Sequence, residues 1–103
     1  APAGPAESGL MPVHVLVPGP LQPFASGLRR IALAAPPATV GDALDLVAAL
    51  YPGVRDRVLT ERGEVRPHIA IFVGGENIRD ALGLATRVPE GSEIAILPAV
   101  SGG

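Results

Sequence analysis

The chain has 103 residues, 48% apolar and 17% charged, with a net charge of −2, which fits one globular domain with one core and excludes a disordered chain. With no basic excess and only three aromatic residues, it has neither the charge nor the stacking surface of a nucleic-acid binder. It has no cysteine, so disulfides, thiolate metal sites and a cysteine nucleophile are excluded as well.

Residues 1–10 are small, rich in proline and glycine and without periodicity, and are expected to be a flexible N-terminal segment. The only methionine, Met11, stands directly before a strand pattern, so 1–10 read either as native or as a remnant ahead of a natural start. The folded body is expected over 11–98. Residues 12–18 (Pro-Val-His-Val-Leu-Val-Pro) read as a first strand, broken by Pro18-Gly19-Pro20. Residues 30–34 read as a second strand with Ile31 and Leu33 on one face, paired to the first as a hairpin through a long loop.

A helix is predicted next. Thr39 is its candidate N-cap, and Asp42 lies in the first turn, where a carboxylate is favoured. Val40, Ala43, Leu44, Val47 and Leu50 follow at helical spacing, and Tyr51-Pro52-Gly53 ends the helix. Residues 54–59 are expected as one irregular helical turn and 60–64 as a polar loop. Residues 68–73 read as a strong strand, turned by Gly74-Gly75 into a partner strand over 76–79. A loop or short turn around Gly83, a turn over 89–92 and a last strand over 93–98 complete the body. Strand, strand, helix, strand, strand, strand is an α+β order, with the helix packed on one face of a sheet. A right-handed crossover returns the chain near the first strand.

The usual catalytic parts are missing. His14 and His68 lie in predicted strands and read as structural. Glu61 with Glu64, and Glu90 with Glu93, lie in or next to loops where a solvated surface is the ordinary reading. Gly74-Gly75 lacks the further glycines and the following helix of a phosphate loop. All eight basic residues are arginine, which excludes Schiff-base chemistry. No apolar run approaches the ~18 residues of a membrane span, and no basic region followed by an apolar stretch opens the chain, so the expected compartment is the cytoplasm.

The C-terminus is the remaining feature. At a background glycine usage of roughly 7%, a chain ends in Gly-Gly by chance about once in 200. Such an ending is thin and free of side chains, able to enter a narrow channel. Residues 99–103 reach about 17 Å when extended. A terminal carboxylate, with a reference pKa of about 3.3–3.7, is ionised at neutral pH and can attack the α-phosphate of ATP held in a partner enzyme. Composition alone leaves a frayed tail as the other reading.

Residues 66–103 resemble the C-terminal half of the MoaD/ThiS sulfur-carrier family, nearest to its CysO-type branch. The likeness rests on Ile69-Ala70-Ile71-Phe72-Val73, the hairpin to Asn77-Ile78-Arg79, and Gly83-Leu84-Ala85-Thr86. It continues through the turn Pro89-Glu90-Gly91-Ser92 and the ending Ile96-Leu97-Pro98-Ala99-Val100-Ser101-Gly102-Gly103. Ser101 departs from the family, which often has alanine there, but a small residue still passes a channel. The first half agrees in layout only.

The resemblance implies a ubiquitin-like β-grasp fold, with a mixed sheet of four to five strands and one main helix on one face. It implies a carrier, not an enzyme, with no bound cofactor. An E1-like adenylating enzyme of the MoeB/ThiF type supplies ATP and magnesium and activates Gly103. A sulfur donor converts the adenylate to a thiocarboxylate, and a biosynthetic enzyme accepts the sulfur for cysteine, molybdopterin or another sulfur-containing metabolite. On this reading Gly103 carries the sulfur and Gly102 gives clearance. Ala99, Val100 and Ser101 form the inserted tail, and Phe72 and Leu97 dock on partners from an exposed sheet face. Core packing is the alternative role for those two. Carriers of this kind are monomers in transient complexes. A ubiquitin-like protein modifier and a plain β-grasp interaction domain are the competing functions.

Overall fold

Three valines start the body. Val13, Val15 and Val17 are buried while His14 and Leu16 between them are half-buried, so β1 (His14–Leu16) turns one face inward. The computed structural model describes residues 12–98; the flexible segment expected over 1–10 and the tail over 99–103 lie outside the described residues. β1 pairs antiparallel with β2 (Arg30–Ala32), with Val15 opposite Ile31. Ile31 and Leu33 are both buried, as the alternation predicts.

The connection between these strands is not the open loop expected. It is a 3-10 helix over Gly19–Ala25 that buries Leu21 and Ala25 against the core. Prolines read as breakers in the sequence, but Pro20 sits in the first turn, where no helical N–H is required. Ser26 and Gly27, at φ 54° and 81°, then turn the chain into β2.

Helix α1 (Val40–Leu50) begins as predicted: the Thr39 hydroxyl accepts the Asp42 N–H at 3.2 Å. Val40, Ala43, Leu44 and Val47 are fully buried. Leu50 corrects the expected apolar face, being 57% exposed. The chain reverses at Tyr51, and that side chain packs on the core at this end of the helix. The Pro52-Gly53 stop also opens a second helix. In place of one irregular turn, α2 (Pro52–Val58) forms with Pro52 in its first turn and Val54 and Val58, one turn apart, fully buried.

β3 (Ile69–Val73) turns at Gly74 and Gly75, whose φ values of 58° and 90° suit a two-residue hairpin, into β4 (Glu76–Asn77). The expected strand over 76–79 stops early because the Asn77 side chain accepts the Arg79 N–H at 2.9 Å and opens a 3-10 turn, Ile78–Asp80. A further 3-10 turn, Gly83–Ala85, leads to β5 (Glu93–Pro98), which matches its predicted bounds.

The sheet order is β2-β1-β5-β3-β4. The strand after the helices, β3, does not touch β1. β5 fills the slot between them, parallel to β1 and antiparallel to β3. Both helices and the inward strand residues belong to one apolar cluster. No polar or charged side chain among the described residues is buried, so the core holds no site and the chemistry must lie on the surface or in the tail.

Leu44→Ala is expected to cost about 3 kcal/mol of stability, and Thr39→Ala about 1 kcal/mol. Leu50→Ala should stay within about 0.5 kcal/mol. Urea unfolding midpoints at matched slopes check the order.

Candidate functional site

The helices cover one face of the sheet and leave the other open. Ile69, Ile71 and Val73 of β3 point inward, as do Ile94 and Ile96 of β5. Alternation therefore turns Ala70 and Phe72, Ala95 and Leu97 outward. Phe72 and Leu97, the two body residues singled out in the sequence, share the open face. They are diagonal neighbours, because Phe72 is opposite Ala95 and Leu97 is opposite Ala70. Leu97 is 45% exposed and Phe72 half-buried, so neither belongs to the core.

Register extends the face across all five strands. Arg30, Leu16, Ala95, Phe72 and Asn77 form one continuous row. A shallow concavity of about 610 Å³ lies over Leu16, Phe72, Ala95 and Leu97, with Arg30 and Glu93 on its border. The Arg30 guanidinium pairs with the Glu93 carboxylate at 3.2 Å and donates to His14 Nδ1 at 3.3 Å. Both charged partners are about half exposed, so the pair orients side chains more than it stabilises the fold. Leu16 and Ala95 escape a reading of the sequence, since only register places them beside Phe72.

β5 also positions the tail. Its last residue, Pro98, is opposite Ile69 at the start of β3. The five site residues that follow Pro98 in sequence, Ala99, Val100, Ser101, Gly102 and Gly103, lie outside the described residues. His14 lies on the open face and His68 just ahead of β3. Glu64 and Arg62 donate their backbone N–H groups to the Thr60 hydroxyl in a closed polar loop. Among the described residues, no group of three or more His, Asp or Glu is placed to hold a metal ion.

The Gly83-Leu84-Ala85-Thr86 motif has a structural task. The Thr86 carbonyl accepts the Val40 N–H at 3.0 Å, and Leu84 packs on the core beside Gly41. A Cβ at Gly41 would stand 3.4 Å from the Leu84 carbonyl oxygen, in ordinary van der Waals contact. The motif thus ties the start of α1 to the strand side of the fold.

Comparison with known proteins bears on the family and the fold. The model of the ThiS family matches residues 15–103. The chain is 32% identical over 95 residues to the sulfur carrier protein CysO of Mycobacterium tuberculosis, covering 90% of this chain and 100% of that protein. It is 46% identical over 66 residues to small archaeal modifier protein 1 of Haloferax volcanii, covering 64% of this chain and 71% of that one. Among solved structures, the BexX/CysO complex of Amycolatopsis orientalis matches with a TM-score of 0.78 and 31% identity, over 88% of this chain and 99% of that chain. The sheet is thus the ubiquitin-like β-grasp sheet that the resemblance implied, with five strands and a second helix beside the main one.

Phe72→Ala is expected to lower stability by about 1 kcal/mol or less, and Ile71→Ala by 2–5 kcal/mol, in the order of ~2 at least. Thermal melts of the two variants, side by side, test the assignment of Phe72 to the open face.

Proposed function

The chain belongs to the ThiS family, and on that premise we propose that it is a sulfur carrier whose C-terminal carboxylate is the group that turns over. The observation that carries the reading is the span of the family match, which runs through Ser101-Gly102-Gly103 and not only through the sheet. The full-length likeness to CysO-type carriers supports it.

In the proposed cycle a Gly103 carboxylate oxygen attacks the α-phosphate of ATP, and pyrophosphate leaves. Sulfide, or an equivalent donor, attacks the acyl carbon of the adenylate, and AMP leaves. The thiocarboxylate sulfur then attacks a substrate held by a biosynthetic enzyme and displaces its leaving group; water cleaves the resulting acyl–sulfur bond, so the substrate keeps the sulfur and Gly103 regains its carboxylate. ATP and magnesium belong to the adenylating partner, an E1-like enzyme of the MoeB/ThiF type. The body over 11–98 serves as a handle and 99–103 as the inserted tail. Gly102 leaves room beside the reacting carbon, and Ala99, Val100 and Ser101 follow it into the channel. Phe72 and Leu97 present the apolar docking face. No helix among the described residues is long and apolar enough to cross a membrane, and we place the cycle in the cytoplasm with its ATP-dependent partner.

The likeness to a small archaeal modifier protein favours a second reading, in which the same adenylate is passed to a lysine of a target protein. Covalent adducts of the chain with other proteins in cells would mark that route.

Intact mass decides the first reading. Incubation with ATP, magnesium, sulfide and the E1-like enzyme of the same source should add about 16 Da, oxygen replaced by sulfur, with no gain in a chain lacking Gly103. No gain, with an enzyme active on its own carrier, overturns it. In the same assay Leu97→Arg is expected to slow adenylation about tenfold, as loss of one central apolar anchor does, with an unchanged melting midpoint.

A further inference from the structure

A second surface lies at the root of the tail. A cleft of about 650 Å³ is lined by Asp56, Arg57, Arg66, His68 and the prolines Pro18, Pro20 and Pro98. Three separate parts of the chain meet there: the end of β1, α2 with the loop that follows it, and the final residue of β5. Both arginines are held by neutral groups. Arg66 donates its Nε–H to the Asp56 carbonyl oxygen at 3.0 Å. Arg57 stacks on the Phe24 ring, 3.6 Å from its centroid. Phe24 is in turn seated against Gly53, where an added Cβ would lie 3.2 Å from the ring. Neither guanidinium makes an ion pair with a described residue. The cleft thus holds two arginines against one carboxylate, Asp56, with which neither forms an ion pair, and stays locally basic on a chain whose net charge is −2.

Position decides what meets them. Pro98 lines the cleft and is the residue from which the tail departs. An enzyme that takes in the chain as far as Pro98 brings the mouth of its channel to the edge of this cleft. Covering the two arginines with an apolar or basic mouth would strip their water without replacement, a cost that opposite charge offsets. Arginine's planar fork suits carboxylates in particular.

We propose that the cleft at the tail root, through Arg57 and Arg66, is a docking site for an acidic rim around the channel of the enzyme that receives the tail. The inference rests on the carrier reading and adds a second contact to it, separate from the apolar row on the open sheet face. Its contribution is electrostatic, raising the rate and fixing the orientation of encounter, while the chemical step at Gly103 is unaffected.

Steady-state adenylation by the E1-like enzyme of the same source tests it, with full-length chains and pyrophosphate release as the signal. Arg57→Glu and Arg66→Glu should each raise KM for the carrier about tenfold with kcat within about twofold. Arg79→Glu, which makes the same charge change outside the cleft, should leave both within about twofold. Rising salt should lower kcat/KM of the unaltered chain more steeply than that of the cleft variants. Arg57, exposed and stacked on the Phe24 ring, keeps the test intact if Arg66→Glu disturbs the Asp56 contact and lowers the melting midpoint. Equal KM in the Arg57 and Arg79 variants, or salt slopes that do not differ, overturns the acidic rim and leaves the carrier reading standing. Failure of the unaltered chain to be adenylated, by an enzyme active on its own carrier, overturns both.

Discussion

The pairing of β5 on both its edges is the constraint on which the rest depends. β1 holds it in parallel register from His14–Glu93 to Leu16–Ala95, and β3 holds it in antiparallel register from Val73–Ile94 to Ile69–Pro98. A parallel neighbour cannot be reached by a tight turn, so the chain between β1 and β5 must travel out and back. α1 and α2 lie on that detour, and their apolar sides close over the face they cross, while β3 and β4 join the sheet on the far side of β5. Because β5 lies in the interior of the sheet, Ile94 and Ile96 are almost fully buried. A segment that merely carried a tail at an edge would not be anchored in this way. Here the chain is gripped up to Pro98, its last residue within the sheet.

The same register explains why one surface packs and the other, the proposed docking face, stays open. In β1, β2, β3 and β5 every second residue is a branched aliphatic facing the helices, while the outward positions include Ala32, Ala70 and Ala95. Small outward residues leave a flat floor from which Phe72, Leu16 and Leu97 rise. That floor is bordered by the Arg30–Glu93 pair. An apolar centre with a charged border is the usual anatomy of a modest protein interface. A carrier has to leave each partner after transfer, and a small interface permits that.

What the sequence made legible was local. α1 was readable because its cap, Thr39 with Asp42, and its apolar period are adjacent residues, and β5 because alternation and Pro98 bound it. Proline misled twice for one reason: its cost inside a regular helix is large, but at the first turn it is small. Pro20 therefore opens a 3-10 helix where a loop was expected, and Pro52 starts α2 where a stop was expected. Leu50 misled because helical spacing says nothing about where the chain reverses. For the candidate site, Phe72 and Leu97 were named through family resemblance, but their face was set only by long-range register, β3 against β5. Arg57 and Arg66 carry no motif at all. They become a pair only when α2 and the loop after it are brought beside Pro18 and Pro98.

The two surfaces differ in what they can do for a tail. Burial of Phe72 and Leu97 against a partner supplies short-range attraction that falls off within a water diameter and is nearly independent of salt. Fixed cations act across about 8–10 Å at ordinary ionic strength, before any apolar contact is made. On an acidic chain, cations spread evenly would cancel against neighbouring carboxylates at that distance. Holding two of them by a carbonyl and an aromatic ring, and not by ion pairs, leaves them in excess over the one carboxylate of the cleft, Asp56, at the place where the proposed insertion of the tail would begin. Orientation is then settled at the tail root while the sheet face is still free to settle onto its partner. A rigid β5 makes the two contacts one geometry, because Leu97 of the face and Pro98 of the cleft are consecutive residues of the same strand.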